Sequence, residues 1–428
     1  MQIASFITTK ENSKEHSEED INFFIQNLNS LTKEEITQWL KAVKKNGLNH
    51  KETTILTMAM ANSGTVLSWN GLEPVIDKHS TGGIGDKITL LFAPLIAAYG
   101  VYIPKLSGRS LGISGGTIDK LESIPGFKTD LTIDEIKEQV KKIRLAVCSA
   151  SKNLAPADKT LYAIRDVTDT VSSIPLIASS IMSKKIAGGA KNIVLDVKTG
   201  SGAFMKSLED SKLLAQTMVS IGKNLNKNIK AVVTNMDQPL GYAIGNALEI
   251  KEVLEVLSGK EVQDLVEIVI TLACESITLI NPNAELNLEK KLTDLLLKGN
   301  ALKKFNEMIL AQGGNLQQMF KEDNKAKYIE VMKSTFDGCI HSIDALLVGE
   351  VVHSLGAGRK LITDKIDHSV GIVLYKKAGD NVSKGESILE IYAKDNNSCK
   401  DAKAKLQNAV KITQSKPIKQ KLIHEIVK

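Results

Sequence analysis

The sequence predicts a small all-α domain hinged to a larger α/β domain with a mostly parallel central sheet, followed by a C-terminal α+β module. Three observations carry that prediction. Residues 1–66 hold apolar side chains at helical spacing only. From Pro74 onward short apolar runs alternate with helical stretches, and residues 158–190 revert to helix before the alternation resumes.

In the first segment Ile21, Phe24, Ile25 and Leu28 recur at helical spacing. Thr32 with Glu35 and Asn49 with Glu52 form capping boxes ahead of Ile36/Trp39/Leu40/Val43 and Ile55/Leu56/Met58/Ala59, and Ser63-Gly64 closes the last helix. The alternating region reads as helix over 87–99, strand over 101–106, strand over 193–197, helix over 206–225 and strand over 231–235. The helical interruption at 158–190 sends the chain back to the N-terminal helices, which implies two domains with a cleft between them. The expected division is 1–66 with 158–190, 74–157 with 191–335, and 338–428. Residues 245–335 read as predominantly helical. The tail shows strands with turns at Gly379-Asp380-Asn381 and Lys384-Gly385.

A chain of 428 residues with 43% hydrophobic and 24% charged residues is ordinary globular material and too long for one core. The net charge of +6 comes from many lysines nearly matched by acids, without arginine clusters or interleaved aromatics, so no nucleic-acid partner is expected. Cys148, Cys274, Cys339 and Cys399 lie far apart, which argues for free thiols in a reducing compartment and against a zinc site. A cytoplasmic protein is expected, with no signal peptide. The longest apolar run, residues 90–103, is shorter than the roughly 20 residues of a membrane span and contains Pro94, so no membrane partner is expected either.

The chemistry concentrates in two glycine-rich stretches. The first is Asp77-Lys78-His79-Ser80-Thr81-Gly82-Gly83-Ile84-Gly85-Asp86. The second runs from Ser107-Gly108-Arg109 to Gly115-Gly116-Thr117-Ile118-Asp119-Lys120. Glycine lets successive N–H groups converge on an oxyanion, hydroxyls add donors, and lysine adds charge. Lys78 and Ser80 then flank the anion while His79 points across the cleft, where a near-neutral pKa suits proton transfer to a leaving group. His16, His50, His353 and His424 read instead as surface or satisfied core histidines. Ser107 and Thr117 are candidate phosphate donors, and Arg109 and Asp119 are expected to pair within their loop. A third group combines Tyr162, Arg165, Ile177, Ser180, Ile181 and Lys184. Pro175 suits a first helical turn, which puts Ser180 and Lys184 on one face at i, i+4. Apolar walls with a few donors suit a planar heterocycle; a solvated helix with a chance Ser/Lys pair is the alternative.

These stretches, together with Pro156-Ala157-Asp158-Lys159, Arg165-Asp166-Val167-Thr168 and Val197-Lys198-Thr199-Gly200-Ser201-Gly202-Ala203-Phe204-Met205, closely resemble the thymidine and pyrimidine-nucleoside phosphorylases. The resemblance runs nearly end to end. It implies domains that close on a pyrimidine nucleoside and phosphate, inorganic phosphate as co-substrate with no other cofactor, and a homodimer built through the α domain. It assigns phosphate to Lys78, Ser80, Thr89, Ser107 and Thr117, and the base to Arg165, Ser180 and Lys184. Tyr162, Leu111, Val171, Ile177, Ile181 and Phe204 would line the ring pocket. His79 would protonate the base carbonyl O2, making His79, Arg165 and Lys184 the catalytic group.

Three departures from the family pattern stand out. Ile113 replaces the histidine of Gly-His-Thr-Gly-Gly, which removes a bond that the resemblance links to domain closure. Lys87 replaces a threonine that helps seat potassium in several bacterial relatives; Gly85, Leu240, Ala243 and Glu252 match the rest of that seat, so an ammonium is expected in place of the metal. Ser30–Glu35 replaces a proline-containing segment near the usual dimer contact. Lys105 resembles the broad-specificity pyrimidine-nucleoside enzymes. Two alternatives stand beside this reading: an anthranilate-type phosphoribosyltransferase, which would not need the Arg165/Ser180/Lys184 clamp, and a non-catalytic binding protein on the same fold.

Overall fold

The computed structural model describes all residues except 1, 110–112, 114, 152, 285, 322–324 and 360–362. Four helices open the chain: α1 (Ile3–Glu11), α2 (Glu18–Gln26), α3 (Lys33–Asn46) and α4 (His50–Asn62). Both expected capping boxes form, because the Thr32 and Asn49 side chains accept from the N3 amides while Glu35 and Glu52 reach back to the cap amides. Phe6, Phe24, Trp39 and Leu40 make the core of this bundle.

The strand–helix alternation follows as β1 (Ile76–Ser80), α5 (Ile88–Tyr99), β2 (Ile103–Ser107), α6 (Thr117–Glu122), α7 (Ile133–Ile143) and β3 (Leu145–Ser149). Next come α8 (Pro156–Val167) and α9 (Ile174–Ala187). Ala157, Leu161, Ile164 and Leu176 join the N-terminal core, so the chain does return to the first bundle. β4 (Asn192–Thr199), α10 (Leu208–Asn224) and β5 (Asn228–Asn235) resume the sheet. β1, β4 and β5 are parallel neighbours, β2 and β3 form a parallel pair, and a parallel bridge between Val75 and Tyr102 joins the two groups. β4 is buried along its whole length, its Asp196 and Lys198 included, as expected of a strand inside a parallel sheet.

The remainder is β6 (Ala243–Ile244), α11 (Asn246–Leu257), α12 (Gln263–Ile280), α13 (Leu288–Leu297), α14 (Asn300–Ala311), α15 (Leu316–Met319), β7 (Tyr328–Lys333), β8 (Gly338–Ile343) and α16 (Ala345–Val352). A π-turn over His353–Ala357 leads to β9 (Gly371–Leu374), β10 (Asn381–Val382), β11 (Ser387–Ala393), α17 (Asn396–Ala409), β12 (Val410–Thr413) and β13 (Ile423–Val427).

Two expectations need correction here. The helical reading of 245–335 ends at Met319, because Tyr328–Lys333 is a strand paired antiparallel with β11. Nor is the tail wholly separate, since β13 adds antiparallel to β5 and completes the central sheet. No helix among the described residues is long and apolar enough to cross a membrane.

Candidate functional site

Parallel strands end together, so the loops that follow them share one edge of the sheet. Register sets Ser80 opposite Asp196 and Ser107 opposite Ser149 at that edge. The three glycine-rich loops leave from the ends of β1, β2 and β4. Met236 lies between two of them: a Cβ on Gly83 would come within 2.3 Å of its Cε, and the Gly202 amide donates to its carbonyl at 2.9 Å. A side chain at 83 would have to displace the end of Met236.

Side chains alternate along β1, which separates two clusters of charge. On one face Lys78, wholly buried, sets Nζ 3.3 Å from Asp196 Oδ2 and 3.4 Å from Thr89 Oγ1. Lys198 sets its Nζ 2.8 Å from the same Asp196 oxygen, and Thr234 donates to the other oxygen at 2.7 Å. Lys120 ties α6 to the first loop, donating to the Asp86 carbonyl at 2.6 Å and pairing with Glu249 at 2.8 Å. Ser80 donates to Asp86 Oδ2 at 2.5 Å and accepts from the Gly82 amide. Burial alone would raise the Asp86 carboxyl; the Lys198, Lys78 and Lys120 ammoniums and the Ser80 hydroxyl outweigh it and hold the group well below the usual carboxylate range. Ser107 is buried at the end of β2 and Thr117 half-buried at the start of α6.

On the other face, Asp77 pairs with Lys185 at 2.5 Å and with Lys105 at 3.6 Å. Burial, then Lys185, pushes the Lys105 ammonium down to about 7. His79 faces this cluster. Burial first, then the charges of Lys185, Lys105, Lys78 and Lys184, holds its imidazole well below the ordinary histidine value. These surroundings disfavour the charged imidazole, against the near-neutral pKa expected of His79.

The base-binding candidates lie on α8 and α9. α9 begins with Pro175 in its first turn, and Lys184 Nζ lies 3.3 Å from Ser180 Oγ one turn earlier. Asp158 on α8 fixes that ammonium at 2.6 Å. Arg165 is buried, and its guanidinium donates to the carbonyls of Leu176 and Val171 at 2.9 Å and of Thr170 at 3.4 Å. It stands 5.8 Å from the Tyr162 ring centroid. Ile177 is buried, Val171 and Ile181 are half-buried, and Phe204 on the third loop is 45% exposed. Leu111 lies outside the described residues.

Arg109 and Asp119 do not pair with each other: Arg109 reaches Glu122, while Asp119 accepts from Arg359 at 2.6 Å. The seat that the resemblance links to potassium holds an ammonium. Lys87 Nζ lies 2.9 Å from the carbonyls of Leu240 and Ala243 and 2.8 Å from Glu252 Oε2. Gly85 contributes its carbonyl to the Lys87 amide instead. The Lys87 ammonium thus takes the two carbonyls and the carboxylate that the resemblance assigns to potassium. Sequence reading gave no role to Asp196 and Lys198, which belong to the Lys78 charge cluster; an aspartate and a lysine inside a buried strand were the available signal.

The chain matches the model of the glycosyl transferase family a/b domain over residues 72–302 and that of the pyrimidine nucleoside phosphorylase C-terminal domain over 339–413. An anthranilate phosphoribosyltransferase from Thermus thermophilus superposes with a TM-score of 0.58 at 16% identity, covering 72% of this chain and 98% of that one, a likeness of fold. Fold and site thus define a pentosyltransferase. Curated relatives narrow this further. The pyrimidine-nucleoside phosphorylase of Staphylococcus haemolyticus is 45% identical over the whole of both chains. Those of Geobacillus stearothermophilus and Bacillus subtilis are 44% identical, over 96% and 100% of both chains respectively. The chain belongs to the pyrimidine-nucleoside phosphorylase family.

Proposed function

We propose that the protein catalyses reversible phosphorolysis of pyrimidine nucleosides such as uridine and thymidine, giving free base and α-pentose-1-phosphate, in pyrimidine salvage. The observation that supports the reading is the Ser180/Lys184 pair on one face of α9, 3.3 Å apart, together with Lys78 held against Asp196 on the strand that also carries His79. A phosphoribosyltransferase would leave that base clamp without a task, and a mere binder would not need His79.

Phosphate binds among Lys78, Ser80, Thr89, Ser107 and Thr117 and attacks C1′ on the face opposite the base. Ser80 turns its hydroxyl from Asp86 to the anion. As the C1′–N bond breaks, negative charge grows on the pyrimidine, where Arg165 and Lys184 stabilise it. The dianion beside His79 offsets the surrounding ammoniums, so the imidazole N–H donates to O2 at the moment of departure. Tyr162, Val171, Ile177 and Ile181 wall the ring, with Phe204 closing over it as the α-helical bundle approaches the sheet. The bundle (1–66 with 158–190) moves as one body against 74–157 with 191–335, and closure excludes water.

The enzyme works in the cytoplasm, in keeping with its four free thiols, and forms a homodimer through the N-terminal helices, where Phe23 and Met58 are 37% and 39% exposed. Release of free base from uridine, thymidine and deoxyuridine, followed with and without phosphate, tests the activity. Base release must require phosphate; release without it, or none from any nucleoside, would overturn the proposal.

A further inference from the structure

We propose that the C-terminal region holds the phosphate site in shape and that Arg359 is its positioning residue. This rests on the reading of Lys78, Ser80, Ser107 and Thr117 as the phosphate site. Helix α16 runs directly behind the glycine-rich loops. A Cβ on Gly349 would come within 2.3 Å of Ile84 Cδ1 in the first loop and 3.7 Å of the Ile113 carbonyl in the second. A Cβ on Gly202, in the third, would meet the Ala345 Cβ at 2.5 Å. One helix therefore touches all three loops at van der Waals distance, and only small residues at these crossings permit it.

The chain then makes its π-turn, with Gly356 at φ 113°, and doubles back toward α6. Asn246 donates to the Ala357 carbonyl at 2.9 Å, and the His353 ring lies 3.1 Å from the Arg359 carbonyl. This fixes the backbone from which Arg359 reaches Asp119 Oδ1 at 2.6 Å, with Glu122 Oε2 3.8 Å away. Asp119 is buried and lies two residues beyond Thr117. A guanidinium offers two directed donors in one plane, so it fixes the orientation of a carboxylate as well as its charge. The Glu122 carboxylate also receives Arg109 of the second loop, which ties the loop, the helix and the tail together at one point. Arg359 acts on phosphate through Asp119 and the start of α6.

Steady-state phosphorolysis of uridine by the full chain tests this, with phosphate and uridine varied separately. R359M should raise the phosphate KM roughly tenfold or more while leaving the uridine KM within about twofold, and R359K should recover part of the loss because it keeps the charge without the planar fork. An unchanged phosphate KM, or equal rises in both KM values, overturns the proposal. If R359M does not fold, D119N and G349A take its place: each must raise the phosphate KM selectively, and failure of both to do so overturns it. K78A separates the two layers. If K78A raises the phosphate KM and R359M does not, only the role of Arg359 falls; if K78A leaves it unchanged, the phosphate-site reading falls and this inference with it.

Discussion

Lys78 and Lys198 set their ammonium groups against the same oxygen of Asp196, at 3.3 and 2.8 Å. Both lysines are fully buried, and apart from this ion pair the Lys198 ammonium makes no hydrogen bond among the described residues. Two cations on one carboxylate oxygen leave charge and N–H donors for an incoming anion. Replacing Lys198 by Met should therefore weaken phosphate binding by about ten- to a hundredfold, the range expected for losing a charge-assisted hydrogen bond. Calorimetric titration with phosphate measures it, and an unchanged affinity would show that Lys198 serves only the fold.

The Lys184–Asp158 pair fixes the ammonium to which the proposed reaction gives the leaving pyrimidine. Lys184→Ala should lower kcat/KM for uridine by roughly a hundredfold or more, since the lost interaction strengthens in the transition state. Ser180→Ala should cost less, about tenfold, and mainly through the uridine KM. Initial-rate kinetics with phosphate saturating checks both.

Lys87 fills its cage so completely that potassium should change neither rate nor melting temperature in the parent protein. Lys87→Thr leaves Glu252 buried without its partner, a loss of about 3–5 kcal/mol. That variant should be rescued by potassium and not by tetramethylammonium. Strict potassium dependence of the parent would contradict the account.

His16 sits in the N-terminal core with its ring stacked 3.9 Å from Phe6, and its Nε2 accepts from Trp39 at 3.1 Å. Burial, then the Lys10 charge, lowers its pKa from 6.5 to about 4. Between those values the unfolded chain binds a proton that the folded chain refuses, so this contribution is complete above pH 6.5 and fades as pH falls toward 4. At pH 5 the loss should be on the order of 2 kcal/mol. Urea unfolding at pH 7 and pH 5 should show it in the parent and not in His16→Gln.

Much of this architecture was legible because its signals are local. Capping boxes lie within four residues, and Pro175 with Ser180 and Lys184 falls within three helical turns. The glycine-rich loops stood out for the same reason. Contacts between distant segments were not legible: Arg359 meets Asp119 across 240 positions, and β13 joins β5 across nearly two hundred. Tyr328–Lys333 was misread because one short alternating run beside five helices carries little periodicity of its own. His79 misled differently. Its loop was visible, but the burial and the four lysines that lower its pKa come from β1, β2 and α9, which lie far apart in the chain.

The most direct test is the configuration of the sugar product. Uridine and phosphate incubated with the enzyme, and followed by proton and phosphorus NMR from the first turnover, should yield α-ribose-1-phosphate with no free ribose. Inversion at C1′ requires phosphate to attack opposite the base from the Lys78 side of the cleft. Formation of the β anomer, or of free ribose, would contradict that geometry.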